Sequence, residues 1–175
     1  MSALPPLSLA EWVVLAVVAE RPTHGFPIAT LTASGGELGQ IWQIPRPVVY
    51  RALSRLAESD LITEDSSERG RGPQRTVYAV TTAGRQAVRR WLQTPVEHVR
   101  DVRSHLLMKL ALLHRSGADP TDLLRQQQAV LVPIAAAMTA ERPPPVGFEA
   151  TLLAWRRANA AAAISFLADV TPSSG

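Results

Sequence analysis

A chain of 175 residues, 46% of them hydrophobic, can bury the core of one domain or of two small ones, which excludes a mainly disordered polymer. Cysteine is absent, so a disulfide framework, a thiolate metal site and a cysteine nucleophile are excluded together. The net charge of +3 is modest but uneven: Arg46 to Arg90 holds nine arginines against five acids, and the remainder nine basic residues against ten acids.

The longest apolar run, WVVLAVVA from Trp12 to Ala19, is far shorter than the roughly 18 residues that span a bilayer, and no basic-then-apolar leader precedes it. A soluble, cytoplasmic protein with no membrane partner is expected. The first helix is predicted from about Ser8 to Glu20, with Ser8 as N-cap and Glu11 completing a capping box, and Pro22 stops it. A short second helix follows RPTHGF, starting near Thr23 or His24 and turning Ile28 and Leu31 inward, before SGGELG breaks the pattern.

The stretch IPRPVVYRALSRL, residues 44–56, predicts a third helix from Arg46 to Ser59. Proline at the first helical position is favoured, because its φ suits a helix and its missing N–H would be unpaired there anyway, so Pro47 marks a start. At 100° per residue Val49, Leu53 and Leu56 share one face, with Pro47, Arg51, Ser54 and Glu58 opposite and Tyr50 and Arg55 on the flanks.

Next, LITEDSSERGRGPQRTVYAVT predicts a hairpin: a strand from Leu61 to Glu64, a glycine-rich tip and a strand from Thr76 to Val80. The tip, residues 66–75, carries Arg69, Arg71 and Arg75. Thr81 or Thr82 caps a fourth helix with Ala87, Val88, Trp91 and Leu92 as its apolar positions, and Pro95 ends it. Beyond about residue 96, Val102, Leu106, Leu110 and Leu113 form a stripe on a helix closed by His114, Arg115 and Gly117. ADPTDLL starts another, with Asp119 as cap and Pro120 at its first position, which Pro133 is expected to kink or divide. A last helix, Phe148 to Ala168, presents Phe148, Leu152, Trp155, Ala162 and Phe166.

Helix, helix, arginine-bearing helix and cationic hairpin is the element order of a winged helix-turn-helix. There the third helix enters the major groove of double-stranded DNA and neighbouring phosphate contacts set its register. Arginine suits both tasks, because its planar fork donates two hydrogen bonds at once to a guanine edge or a phosphate. The expected fold is thus mainly α with a small β-hairpin. Residues 1–95 form the winged helix-turn-helix DNA-binding domain and 96–175 a helical region.

The stretches THGFPIATL (23–31), VVYRALSRLAESDLI (48–62), GPQRTVYAVTTAG (72–84) and RRWL (89–92) resemble the PadR-like transcriptional regulators over roughly residues 8–93. Two features depart from the family's pattern. Phe26 stands where a tyrosine is usual, and Pro45 and Pro47 stand where small or polar residues are usual. The resemblance implies a homodimeric repressor whose helical C-terminal region forms the dimer interface, often with the first helix. It also implies a small, frequently aromatic effector and, by symmetry, a pseudo-palindromic operator with half-sites about one helical turn apart.

The candidate DNA-binding residues are therefore Arg46, Pro47, Tyr50, Arg51, Ser54, Arg55, Arg69, Arg71 and Arg75. For the arginines the competing reading is a solvated face, some of the tip arginines pairing with Glu64, Asp65 and Glu68. Tyr50 is placed either on a phosphate or at the edge of the core, Tyr78 in the core, and His24 as a cap, a phosphate contact or a plain turn residue. Trp12, Trp91 and Trp155 are candidates for an effector pocket, against ordinary packing, and Trp42 packs against the domain. The four histidines are too dispersed for a metal site, and His98 and His105 are expected to be exposed. No nucleophile elbow, phosphate loop or helical metal motif is present, so neither an enzyme nor a cofactor is expected. The alternative function is a winged-helix protein-interaction module without specific DNA binding.

Overall fold

The reciprocal cap read from Ser8 and Glu11 is formed: Ser8 Oγ accepts from the Glu11 N–H at 3.3 Å, and the Glu11 carboxylate accepts from the Ser8 N–H at 2.7 Å. It opens α1, Leu9–Glu20, in a computed structural model that describes residues 4–68, 75–139 and 146–171. Almost every side chain of α1 from Leu9 to Val18 is buried, as in a helix that is apolar all round, and it packs on α3, α4 and the hairpin. α2 spans Gly25–Leu31, with Ile28 fully buried and Leu31 only partly so. The SGGELG stretch is more than a break, since it holds a 3-10 turn, Leu38–Gln40. A Cβ on Gly39 would stand 1.7 Å from the Ala33 carbonyl oxygen, so no other residue fits there without moving backbone.

α3 spans Arg46–Glu58, one residue out of phase with the expected proline start: Pro45 is the N-cap, Arg46 the first helical residue and Pro47 the second. The physics is unchanged, because no first-turn N–H has an intrahelical partner to lose. Val49, Leu53 and Leu56 are buried as expected, against α1.

Strands β1, Ile62–Glu68, and β2, Arg75–Val80, pair antiparallel, and β1 is longer than the predicted Leu61 to Glu64. The register steps from Glu64 opposite Tyr78 to Ser66 opposite Val77, leaving Asp65 as the extra residue of a bulge. That irregularity is why hydrophobic alternation fades after Glu64. A feature absent from the sequence reading ties the hairpin to the helices: Thr23 and Tyr78 exchange backbone hydrogen bonds of 3.0 and 2.8 Å, a one-residue third strand. α4, Thr82–Gln93, is capped by Thr81, whose Oγ1 accepts from the Gly84 N–H at 3.0 Å.

The second half begins with a 3-10 turn, Val99–Asp101, and a π-type turn, Val102–Leu106, that runs into α5, Leu107–Arg115. The predicted stripe is found on one cluster across the π-turn, Leu110 packing at its edge beside the buried Val102, Leu106 and Leu113. Val102, Leu106 and Leu113 join a cluster with Leu123, Leu124, Leu131 and Leu167, whereas Met108 and Leu112 face the core of α1 and α3. Leu110 is only partly buried. α5 therefore stands between two cores. α6, Thr121–Thr139, runs through Pro133 without dividing, and Asp119 Oδ1 accepts from the Thr121 N–H at 2.9 Å.

α7 spans Phe148–Val170, ending two residues beyond the expected Ala168. Leu153, Ala160, Ala163 and Leu167 point inward against α6 and its neighbours, whereas Phe148 and Trp155 stand 78% and 67% exposed, with Ala162 also exposed and Phe166 partly buried. An alanine-rich helix packs on its small residues because they let it approach its neighbour closely, which leaves the large rings of Phe148 and Trp155 outside.

Two buried polar side chains hold the segment that follows α4. Gln127 is fully buried, its Oε1 accepting from the Val96 N–H at 2.7 Å and its Nε2 donating to the Val96 carbonyl at 2.8 Å. Lys109 is 3% exposed, donates from Nζ to the Thr94 carbonyl and sits 5.1 Å from the Trp91 ring centroid. Burial pushes its ammonium down from 10.5 to about 8. Below pH 8 the lysine is charged folded or unfolded, and the desolvation cost is fully present. As pH rises from about 8 toward 10.5 the folded chain loses the proton first, so unfolding takes up a proton and stability increases, by up to about 3 kcal/mol. Denaturant titrations between pH 7 and 9.5 should show this rise, and Lys109→Met should flatten it.

Candidate nucleic-acid interface

α3 sorts its residues cleanly by exposure. While Val49, Leu53 and Leu56 anchor one side, Arg46, Pro47, Tyr50, Arg51, Ser54 and Arg55 are all exposed on the other, spaced by threes and fours so that they form one continuous polar stripe. All six candidates predicted in this helix therefore share one surface. Ser54 Oγ donates to the Tyr50 carbonyl at 3.2 Å, inside the helix. Tyr50 is 42% exposed, and its ring lies against Gly25, where a Cβ would be 2.7 Å from the ring. His24 is settled as the cap of α2, Nδ1 accepting from the Phe26 N–H at 3.3 Å.

The arginines differ in what already holds them. Arg55 reaches the Glu11 carboxylate at 3.1 Å, an ion pair between an exposed guanidinium and a buried acid. Burial alone would raise the Glu11 carboxyl, but hydrogen bonds from Ser8 and the Arg55 charge outweigh it and hold the group below its usual 4.5. Glu11 was read only as a capping residue, so this pairing was missed, and it ties the stripe to the N-terminus of α1. Among the described residues Arg46 and Arg51 make no ion pair. Arg69 and Arg71 of the hairpin tip lie outside the described residues, and Arg75 is placed as the first residue of β2.

Residues 14–90, which include α3 and the hairpin, match the family model described as the transcriptional regulator PadR-like family. Over those residues the chain is similar to the PadR-like transcriptional regulators. It is 23% identical over 130 residues to the negative transcriptional regulator PadR of Bacillus subtilis (strain 168), covering 71% of this chain and 70% of that protein. It also resembles the crystal structure of Bacillus subtilis PadR in complex with operator DNA, at 18% identity and a TM-score of 0.49, over 95% of this chain and 100% of that one. Bacillus subtilis PadR in complex with p-coumaric acid is similar at 17% identity and a TM-score of 0.45, over 93% and 96% of the two chains.

In the structure the three candidate tryptophans do not converge. Trp12 and Trp91 are buried and stacked, centroids 5.1 Å apart and planes 2° from parallel, whereas Trp155 is exposed on α7. Trp42 is 43% exposed and meets the His105 ring edge-on at 6.1 Å, so His105 is partly covered, not free in solvent as expected; that burial lowers its pKa.

Beside the stacked pair, α1, α4 and α5 leave a cleft of about 310 Å³. Ala16, Val88, Leu92 and Leu112 make its apolar walls, and Arg85 and Arg89 stand at its lining. Glu20 also lines it, held by Arg115 through two hydrogen bonds of 2.8 and 2.9 Å, and Arg115 pairs with Glu37 as well. The sequence reading passed over Arg85 and Arg89. Their signal was the i, i+4 spacing beside Val88 and Leu92 on an amphipathic helix.

Proposed function

We propose that the chain is a sequence-specific, double-stranded-DNA-binding repressor that acts as a homodimer on a pseudo-palindromic operator and is released by a small aromatic effector. The observation that carries this reading is the exposed stripe of α3, in which Arg46, Tyr50, Arg51, Ser54 and Arg55 project together from a helix anchored by Val49, Leu53 and Leu56. Such a face matches a major groove, where arginine reads guanine edges and hydroxyls reach phosphates. Arg69, Arg71 and Arg75 then serve flanking backbone or minor groove, and Pro47 stiffens the start of the reading helix. Repression is supported by the likeness to a negative transcriptional regulator.

Residues 1–95 are the DNA-binding part and 96–175 the dimerisation part, the two joined through α5. The exposed apolar residues Phe148 and Trp155 on α7 and Val132 on α6 supply the surface that a second copy covers. The cleft between α1, α4 and α5 suits a planar effector with an acidic group, since apolar walls take the ring and Arg85 and Arg89 the charge. An effector bound there favours one spacing of the two α3 helices over another, which requires different affinities for the two dimer states. The protein works by binding, without catalysis, in the cytoplasm.

Gel retardation of the DNA upstream of its own gene tests the reading. Specific complexes should form and weaken steeply as salt rises, because released counterions drive much of the affinity, and sedimentation should give a dimer. A module that binds only proteins retards no promoter fragment at any salt concentration.

A further inference from the structure

Phe26 is a large apolar side chain left 51% exposed at the start of α2, beside the first residue of α3. Its neighbour explains it. The Arg46 guanidinium carbon lies 5.7 Å from the centroid of the Phe26 ring and 5.7 Å from that of Tyr50, two rings carried by different helices. Both distances fall within the roughly 6 Å over which an aromatic face attracts a cation. Tyr50 takes up its place because residue 25 is glycine: its ring lies against the Gly25 backbone, where a Cβ would be 2.7 Å from the ring.

We propose that Phe26 and Tyr50 are positioning residues that hold the Arg46 guanidinium against their rings so that its N–H edges meet a guanine. The proposal rests on the DNA-binding reading above and adds to it a residue outside α3. Attraction to an aromatic ring leaves the in-plane donors of a guanidinium unspent, and among the described residues no carboxylate takes those of Arg46. A free arginine would have to lose much of its rotamer freedom on binding, whereas one already held by two rings has less to lose. A planar fork presented edge-on matches the O6 and N7 acceptors of guanine, which a rounder lysine ammonium does not. The position is also apt, since the first residues of a reading helix are those that meet base edges.

The experiment uses the full-length protein and an operator selected by it from random duplex DNA, followed by a panel in which each base pair of that operator is changed in turn. Phe26→Ala and Arg46→Lys should each lower operator affinity by roughly 3- to 30-fold. They should also flatten the preference at the same G·C pair and leave the preferences elsewhere unchanged. Phe26→Tyr keeps a ring face and should restore both affinity and preference. Because Phe26 is exposed, circular dichroism and melting temperature of the free variants should match the parent, which separates positioning from folding. Unchanged preference in Phe26→Ala overturns the proposal. So does a uniform loss over every sequence with a shallower salt dependence, which assigns Arg46 to a phosphate. A parent protein that selects no sequence overturns the DNA-binding reading itself, and this proposal falls with it.

Discussion

Replacing Arg51 with alanine should lower affinity for the specific operator by about 1–3 kcal/mol, which is roughly 5- to 150-fold, the worth of one bidentate contact to a base edge. Arg51 stands in the middle of the exposed stripe of α3, and among the described residues it makes no ion pair that DNA would have to break. Arg55 differs, because its guanidinium is already 3.1 Å from Glu11 and any contact with DNA competes with that pair. Arg55→Ala should therefore cost less than Arg51→Ala when the two are titrated side by side. Arg51 is exposed, so its replacement should leave the melting temperature of the free protein nearly unchanged. Protection of the same operator by Arg51→Ala at parental affinity would mean that α3 is not the reading element.

Replacing Gln127 with alanine should be the most destabilising of the changes considered. The side chain amide is fully buried and satisfies both the N–H and the C=O of Val96, itself buried. Alanine leaves both backbone groups without partners in an apolar cluster, at about 1–3 kcal/mol each, and adds a cavity. A loss of roughly 3–6 kcal/mol should appear as a fall of about 10–20 °C in melting temperature for a chain of this size. Gln127→Glu distinguishes hydrogen bonding from volume: it keeps the shape, loses the donor to the Val96 carbonyl and buries a charge. A melting temperature unchanged in Gln127→Ala would show that the residue 96 segment does not depend on this clamp.

The N-terminal half was legible because its signals are local and agree with one another. Ser8 and Glu11 announce a cap, Val49, Leu53 and Leu56 a packed face, and Thr81 a helix start, and each is found so. Periodicity placed the six α3 candidates off the packed face, and the element order and the family resemblance made them candidates for DNA contact. What escaped was either non-local or hidden in ordinary residue types. The Glu11 to Arg55 pair spans two helices, Gln127 meets a backbone segment 31 residues away, and the cleft between α1, α4 and α5 exists only once three helices are docked. In the C-terminal half the stripe of Val102, Leu106, Leu110 and Leu113 was legible, whereas the π-turn at Val102–Leu106 and the second apolar face of Met108 and Leu112 were not. On α7 the alanines, not the rings, mark the packed side.

The backbone exchange between Thr23 and Tyr78 limits how such a protein can adapt to new DNA. It fastens the hairpin to the segment just ahead of α2, so under the proposed function the hairpin is expected to turn together with the helices when DNA is bound. An operator with altered groove geometry at one contact cannot be met by swinging the hairpin alone. Accommodation must come from the angle between the two subunits of a dimer, or from changed side chains on the stripe.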